Sequence, residues 1–217
     1  MSSTIDKIIS LEFSMFQNVQ NVGGRACCQD NYLTFRIMRA SQFEVWTDDM
    51  LESYLRDLTA AKASDENLIF EKYAYMMHDR CPEEYAGLEN SLPPISEEKL
   101  SLVNLIVAAH VSWMDALAAS YPALLTNARP IHTGSDNRMC VSSETYLRCE
   151  LLTYSMHTLD LYAKYVLQCL KNGTNLNRLI LLNTVEKYQF HSLDEAEERL
   201  TQKIPGLTIV SLPSPAN

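Results

Sequence analysis

Several signatures are missing from this chain of 217 residues, and each absence removes a class of function. No run approaches the roughly 18 apolar residues that span a bilayer, so no membrane association is expected. The opening Met1-Ser2-Ser3-Thr4-Ile5-Asp6-Lys7 lacks a basic stretch followed by an apolar one, so secretion by a standard signal is not expected either. The six cysteines form no Cys-x-x-Cys pair, which removes zinc ribbons and thioredoxin-type motifs; reduced thiols and a cytoplasmic location are the expectation. Basic residues are in deficit: 18 Lys and Arg against 27 Asp and Glu leave a net charge of −9. A surface of that sign repels phosphate backbones, and nucleic acid is not expected as a partner. P-loop, dinucleotide glycine fingerprint, Gly-x-Ser-x-Gly elbow and zinc-protease helix are all absent, so no cofactor is expected. Internal repeats and low-complexity tracts are absent as well.

What the chain does have is helical periodicity. Ile5, Ile8, Ile9, Phe16 and Val19 make the apolar stripe of a first helix over roughly residues 4–20, which Asn21-Val22-Gly23-Gly24 ends. Asp30 is placed to cap a second helix reaching Trp46, and Thr47-Asp48-Asp49 starts a third. Further helices are expected over roughly 66–78, from Pro82, and over roughly 97–120 after the Ser96 cap. Residues 122–141 show no period and read as a long irregular loop. A second long helix is expected from Ser142 or Ser143 to Lys171, with Gly173 closing it in the left-handed conformation. Asn175 opens another, and Ser192-Leu193-Asp194-Glu195 is a capping box for the last. The reading is an all-α, single-domain multi-helix bundle over 1–212, with two long helices, a long irregular loop, and a disordered tail over 213–217. Residues 207–210 read as a docked extended segment.

Polar residues interrupt these apolar faces. Glu12 shares a face with Ile8 and Phe16, Glu150 sits beside Leu147, Leu151 and Tyr154, and Glu71 lies in an aromatic helix with Tyr73. A buried carboxylate must be paired or take up a proton, and the same burial shifts its pKa towards values useful in acid–base chemistry. One reading pairs each carboxylate with an arginine as a structural lock; the other gathers them in a cleft. Gly23-Gly24-Arg25 through Asp30 offers backbone amides and Arg25 to an anion. Cys27 and Cys28 there read as packing thiols rather than nucleophiles. Arg129 before Pro130 is held extended in the loop. Metal ligation is not expected, because no Glu-x-x-His pair is present and the pairs Glu71/His78 and Glu150/His157 are seven residues apart. His110 reads as a core histidine with its hydrogen bonds satisfied.

Those same residues carry a resemblance. Glu12-Phe13, Met15-Phe16, Gly23-Gly24-Arg25-Ala26, Cys28-Gln29-Asp30, Thr34-Phe35, Ile37-Met38-Arg39 and Ser41-Gln42-Phe43 resemble the opening of domain-of-unknown-function family 4125. Glu71 through Met77, Glu144 through Arg148, and Glu150 through Ser155 resemble its middle and later blocks, from about Ile5 to Glu198 overall. The resemblance implies a stand-alone helical protein of microbial type and brings no assigned chemistry. Cys149 stands where it implies a glycine.

The functional expectation is a small-molecule enzyme using acid–base chemistry in an interhelical cleft: a lyase, isomerase, cyclase or hydrolase. Its substrate would be anionic, with amino-acid-like molecules among the candidates. Glu12, Glu71 and Glu150 would carry protons, and Tyr73 and Tyr154 would donate to a developing oxyanion. Arg25, Gln29, Arg39, Gln42, Trp46, Arg129, Tyr146 and Arg148 would hold the substrate. Two alternatives are a non-catalytic helical module for a ligand or protein, in which the charges close into salt bridges, and a metal–carboxylate oxidase.

Overall fold

The computed structural model describes residues 2–20, 24–25, 27–138 and 140–202. Among these, eleven α-helices, three 3-10 turns and one isolated Asn137–Cys140 bridge make up the regular structure. The helices are α1 (Ser2–Gln17), α2 (Tyr32–Phe43), α3 (Asp48–Ala63), α4 (Leu68–Met77), α5 (Pro82–Ala86), α6 (Glu97–Ser120), α7 (Pro122–Thr126), α8 (Ser143–Leu152), α9 (Met156–Lys171), α10 (Leu176–Lys187) and α11 (Leu193–Thr201). The Cys27 and Cys28 side chains, the 207–210 segment and the expected tail lie outside the described residues.

Helix starts follow short polar side chains that accept the N–H groups a first turn leaves unbonded. Thr47, Asn67, Ser96, Ser142, Ser155, Asn175 and Ser192 each cap in this way. The capping box at Ser192 closes with the Glu195 carboxylate accepting from the His191 N–H at 2.7 Å. For α2 the cap is Asn31, whose side chain accepts from the Thr34 N–H at 3.1 Å; Asp30, the expected cap, instead pairs with Arg25 at 2.8 Å. Gly173 takes φ +66°, the left-handed conformation that ends α9.

Three further expectations are corrected. The helix expected from 142 to 171 is two helices, because the chain turns at Thr153-Tyr154 and Ser155 caps anew. Asp57 on α3 pins that turn, accepting from the Ser155 N–H at 3.1 Å and the Thr158 hydroxyl at 2.6 Å. The break shifts the buried face by one residue: Tyr162 and Val166 are buried on α9, while Leu161 and Tyr165 are only partly so. The loop expected over 122–141 contains α7 and a 3-10 turn at Thr133–Ser135. Finally, α6 does match a bilayer span in length and composition, with a mean hydropathy of 1.5 over an 18-residue stretch. In the fold it packs against α7, α8, α9 and α10, and a helix with so many neighbours needs apolar residues on most sides.

The packing order creates the site. Helix α1 lies on α2, α2 on α10, α10 on α6, α6 on α8, α8 on α4, and α4 on α1 again, so six helices close a ring. Beneath it α3 packs on α1 and α9. A second, smaller apolar cluster of Leu124, Val185, Phe190, Leu193 and Ala196 holds α7 and α11 to the end of α10.

Candidate functional site

The ring encloses a cavity of about 830 Å³, within the range of about 300–1,000 Å³ usual for small-molecule sites. Its walls are mostly apolar: Phe16 from α1, Phe35 and Met38 from α2, Ile69 from α4, Met114 and Leu117 from α6, Leu147 from α8, and Ile180 and Leu181 from α10. Leu124, Leu125 and the segment Asn127–Arg129 supply one more side. Asn31 and Ala128 are the exposed lining residues, which puts the opening between the start of α2 and the segment after α7.

One part of the wall is ionic. Arg39 on α2 lies between two carboxylates from distant stretches of sequence. It donates through Nε and Nη2 to both oxygens of Glu12, at 2.7 and 2.5 Å, and through Nη1 to Glu150 at 3.0 Å. The fork geometry explains why arginine is required here: one planar group grips Glu12 with two parallel bonds and still reaches Glu150 and the Gln42 amide oxygen at 2.8 Å. Lys72 on α4 donates to the far side of Glu150 at 3.3 Å and to the Tyr146 hydroxyl at 2.9 Å. Tyr54 donates to Glu12 at 2.8 Å, and Tyr154, placed at the α8–α9 turn, donates to Glu150 at 2.9 Å. All four charged groups are buried: Glu12 is 0% exposed, Glu150 3%, Lys72 4% and Arg39 8%. Burial of this kind is tolerated only where charges cancel and lone pairs are filled, and two carboxylates against two cations meet both conditions.

The protonation states follow from the same geometry. Burial pushes the Glu150 carboxyl up, but Arg39 and Lys72 outweigh it and hold the group at about 2. Burial alone would lower Arg39 and Lys72, yet their acidic neighbours leave both above their ordinary values. Burial, with the adjacent carboxylates, raises Tyr54 and Tyr154, so both phenols stay protonated and donating. A second polar patch on the wall is neutral. Burial lowers His110 to about 4; its Nδ1 faces the Asn177 side-chain Oδ1 at 2.5 Å and its Nε2 faces the Tyr162 hydroxyl at 2.9 Å. Both ring nitrogens are thereby satisfied, the role expected of it.

The structure brings together Glu12, Arg39, Gln42, Tyr73, Arg129, Tyr146 and Glu150 on the cavity wall, with Tyr154 bonded behind Glu150. Arg129 is buried, stacks 4.8 Å from the centre of the Tyr146 ring and donates to the Val141 carbonyl. Trp46, expected in the cleft, is not on its wall; it packs in an aromatic cluster with Phe43, Tyr54, Tyr154 and Tyr162, of which Tyr162 reaches the lining. Four more residues expected in the cleft lie elsewhere. Glu71 faces away, half-buried near Glu66 and Lys99, where burial and then Glu66 raise it to about 7. Arg148 bonds to Asn104 and Glu144, because two residues along a helix from Glu150 is close to its opposite side. Arg25 is largely exposed, bound to Asp30 and Gln17. Gln29 is buried but donates to the Phe16 and Val19 carbonyls, closing the end of α1.

Lys72 is the charged residue of the ionic wall that the sequence reading missed, and Tyr54, which donates to Glu12, was missed as well. Leu68, Ile69, Lys72 and Met76 are buried together at helical spacing, a phase in which Lys72 replaces Glu71 as the inward residue. Among the described residues no three of His, Cys, Asp or Glu gather as a metal would require. Cys149, adjacent to Glu150, is buried, and that burial pushes its thiol up to about 12.

No curated protein and no solved structure matches the chain. A family model does, over residues 2–198, which covers the whole ring and every residue of the ionic wall. The chain belongs to the family described as Protein of unknown function (DUF4125).

Proposed function

We propose that this protein binds a small organic molecule in the cavity enclosed by α1, α2, α4, α6, α8 and α10, with the ionic wall as a fixed, preorganised surface. The observation that carries the reading is one partly open cavity of about 830 Å³ with apolar walls and a single ionic patch. That is the usual composition of a small-molecule site. Protein docking would instead favour an exposed apolar groove, and among the described residues the large exposed apolar side chains are scattered over α2, α6 and α9.

Acid–base catalysis is the second reading, and the protonation states weigh against it as the first choice. A general acid or base works best with a pKa near the operating pH. Glu150 at about 2 is locked as a carboxylate, and Glu71, at about 7, is not on the cavity wall. In a catalytic version of this site Glu12 and Glu150 would hold charges in place, and protons would move on the ligand or on Tyr146.

Binding is tested with a neutral, environment-sensitive fluorophore such as N-phenyl-1-naphthylamine. Fluorescence should rise to saturation at one molecule per chain, and Met38→Trp, which fills the cavity beside Arg39, should abolish the rise while the circular dichroism spectrum stays helical. No saturable signal, or one that a folded Met38→Trp leaves intact, overturns the proposal.

A further inference from the structure

Two neighbouring donors on the ionic wall are not fully used within it, and they specify a ligand. Both oxygens of Glu12 and both of Glu150 already accept hydrogen bonds, from Arg39, Tyr54, Lys72, Tyr154 and Gln42. The Lys72 ammonium has three N–H groups; two bond to Tyr146 and Glu150, and the nitrogen lies over the Tyr146 ring at 4.5 Å from its centre. Tyr146 accepts from Lys72, and its own O–H has no acceptor among the described residues. Both lie on the cavity wall, 2.9 Å apart, and Lys72 is 4% exposed.

We infer that the ligand is an amphipathic carboxylate, whose two oxygens accept from Lys72 Nζ and Tyr146 Oη while its apolar body lies against Phe35, Met38, Leu147 and Ile180. Two adjacent donors match the two oxygens of a carboxylate. The Arg129 guanidinium, stacked on the Tyr146 ring, adds positive potential beside the head group. The inference rests on the cavity being a ligand site and deepens that reading.

The test is calorimetric titration of the full-length protein with four probes of one chain length: octanoate, octan-1-ol, octylamine and octyl phosphate. Octanoate should bind at least roughly tenfold more tightly than the alcohol, the effect of one charge-assisted hydrogen bond in a buried site. Octylamine should be the weakest. Tyr146→Phe should reduce the preference for octanoate over octan-1-ol severalfold, and Lys72→Met should remove it. If the neutral fluorophore and the alcohol bind but octanoate gains nothing over the alcohol, the head-group assignment is wrong and the cavity reading stands. Tighter binding of octyl phosphate or octylamine overturns the carboxylate assignment in the same way. If no probe binds, the cavity reading fails, and the inference with it.

Discussion

Replacing Arg39 by methionine removes the one cation that touches both buried carboxylates. Methionine keeps an unbranched apolar stem and lacks the guanidinium, so the change removes the charge and its hydrogen bonds. In the native protein Glu150 is held at about 2 against an ordinary 4.5; at about 1.4 kcal/mol per pH unit this is a linkage of about 3 kcal/mol at neutral pH. Removing one partner of a buried ion pair costs about 3–5 kcal/mol, because the survivor remains buried without compensation. Here Glu12 loses a two-bond grip and Glu150 keeps only Lys72 and the two side chains Tyr154 and Gln42. The predicted loss at pH 7 is therefore about 3–5 kcal/mol, read as a fall in urea midpoint with little change in slope. It should also depend on pH with a definite sign. A carboxyl depressed in the folded state contributes stability that is present above its ordinary value and is lost as pH falls through about 2. Without Arg39 the Glu150 carboxyl rises, so the difference between wild type and variant should narrow as pH drops from about 7 to about 4. Should Arg39→Met fail to fold, Arg39→Lys, which keeps the charge and loses the fork, should show the same trend with a smaller loss. A loss below about 1 kcal/mol, or one that is the same at both pH values, would refute the reasoning.

Three other expectations are open to direct measurement. Glu71, raised to about 7, contributes stability below its ordinary 4.5 that is lost as pH rises through about 7, so Glu71→Gln should stabilise the protein at alkaline pH and change little near pH 4 in urea unfolding. His110, lowered to about 4, contributes stability above its ordinary 6.5 that is lost as pH falls through about 4; its ring proton resonances should not shift between about pH 8 and about pH 5.5. Ser155→Ala removes the cap of α9 at the turn pinned by Asp57 and should lower stability by about 1 kcal/mol in the same assay.

Much of the fold was legible because helix caps and apolar stripes are local signals. Ser96, Asn175 and Ser192 each announce a helix within four residues, and the stripe through Ile8, Ile9 and Phe16 fixes which side of α1 is buried. Glu12 and Glu150 were legible for the same reason, as charges on faces otherwise made for packing. The turn at Thr153–Ser155 was hidden because the apolar spacing runs through it nearly in phase, and the partner that stabilises it, Asp57, lies about 100 residues away. Lys72 was hidden by its neighbours: with Phe70, Tyr73 and Tyr75 around it, the aromatic spacing favours Glu71 as the odd residue, and only the Leu68–Ile69–Met76 phase selects Lys72. That Arg39 joins Glu12 to Glu150, while Arg25 and Arg148 do not, depends on which helices meet around the ring, and no local pattern encodes that.

The most direct test of the account is a titration of the Glu150 side-chain carboxyl by carbon-13 NMR in the intact protein. A fixed, ionised wall predicts no change of its chemical shift from about pH 8 down to about pH 4, with titration only as pH approaches 2. A midpoint between about pH 5 and about pH 8 would contradict the account and make Glu150 a proton carrier.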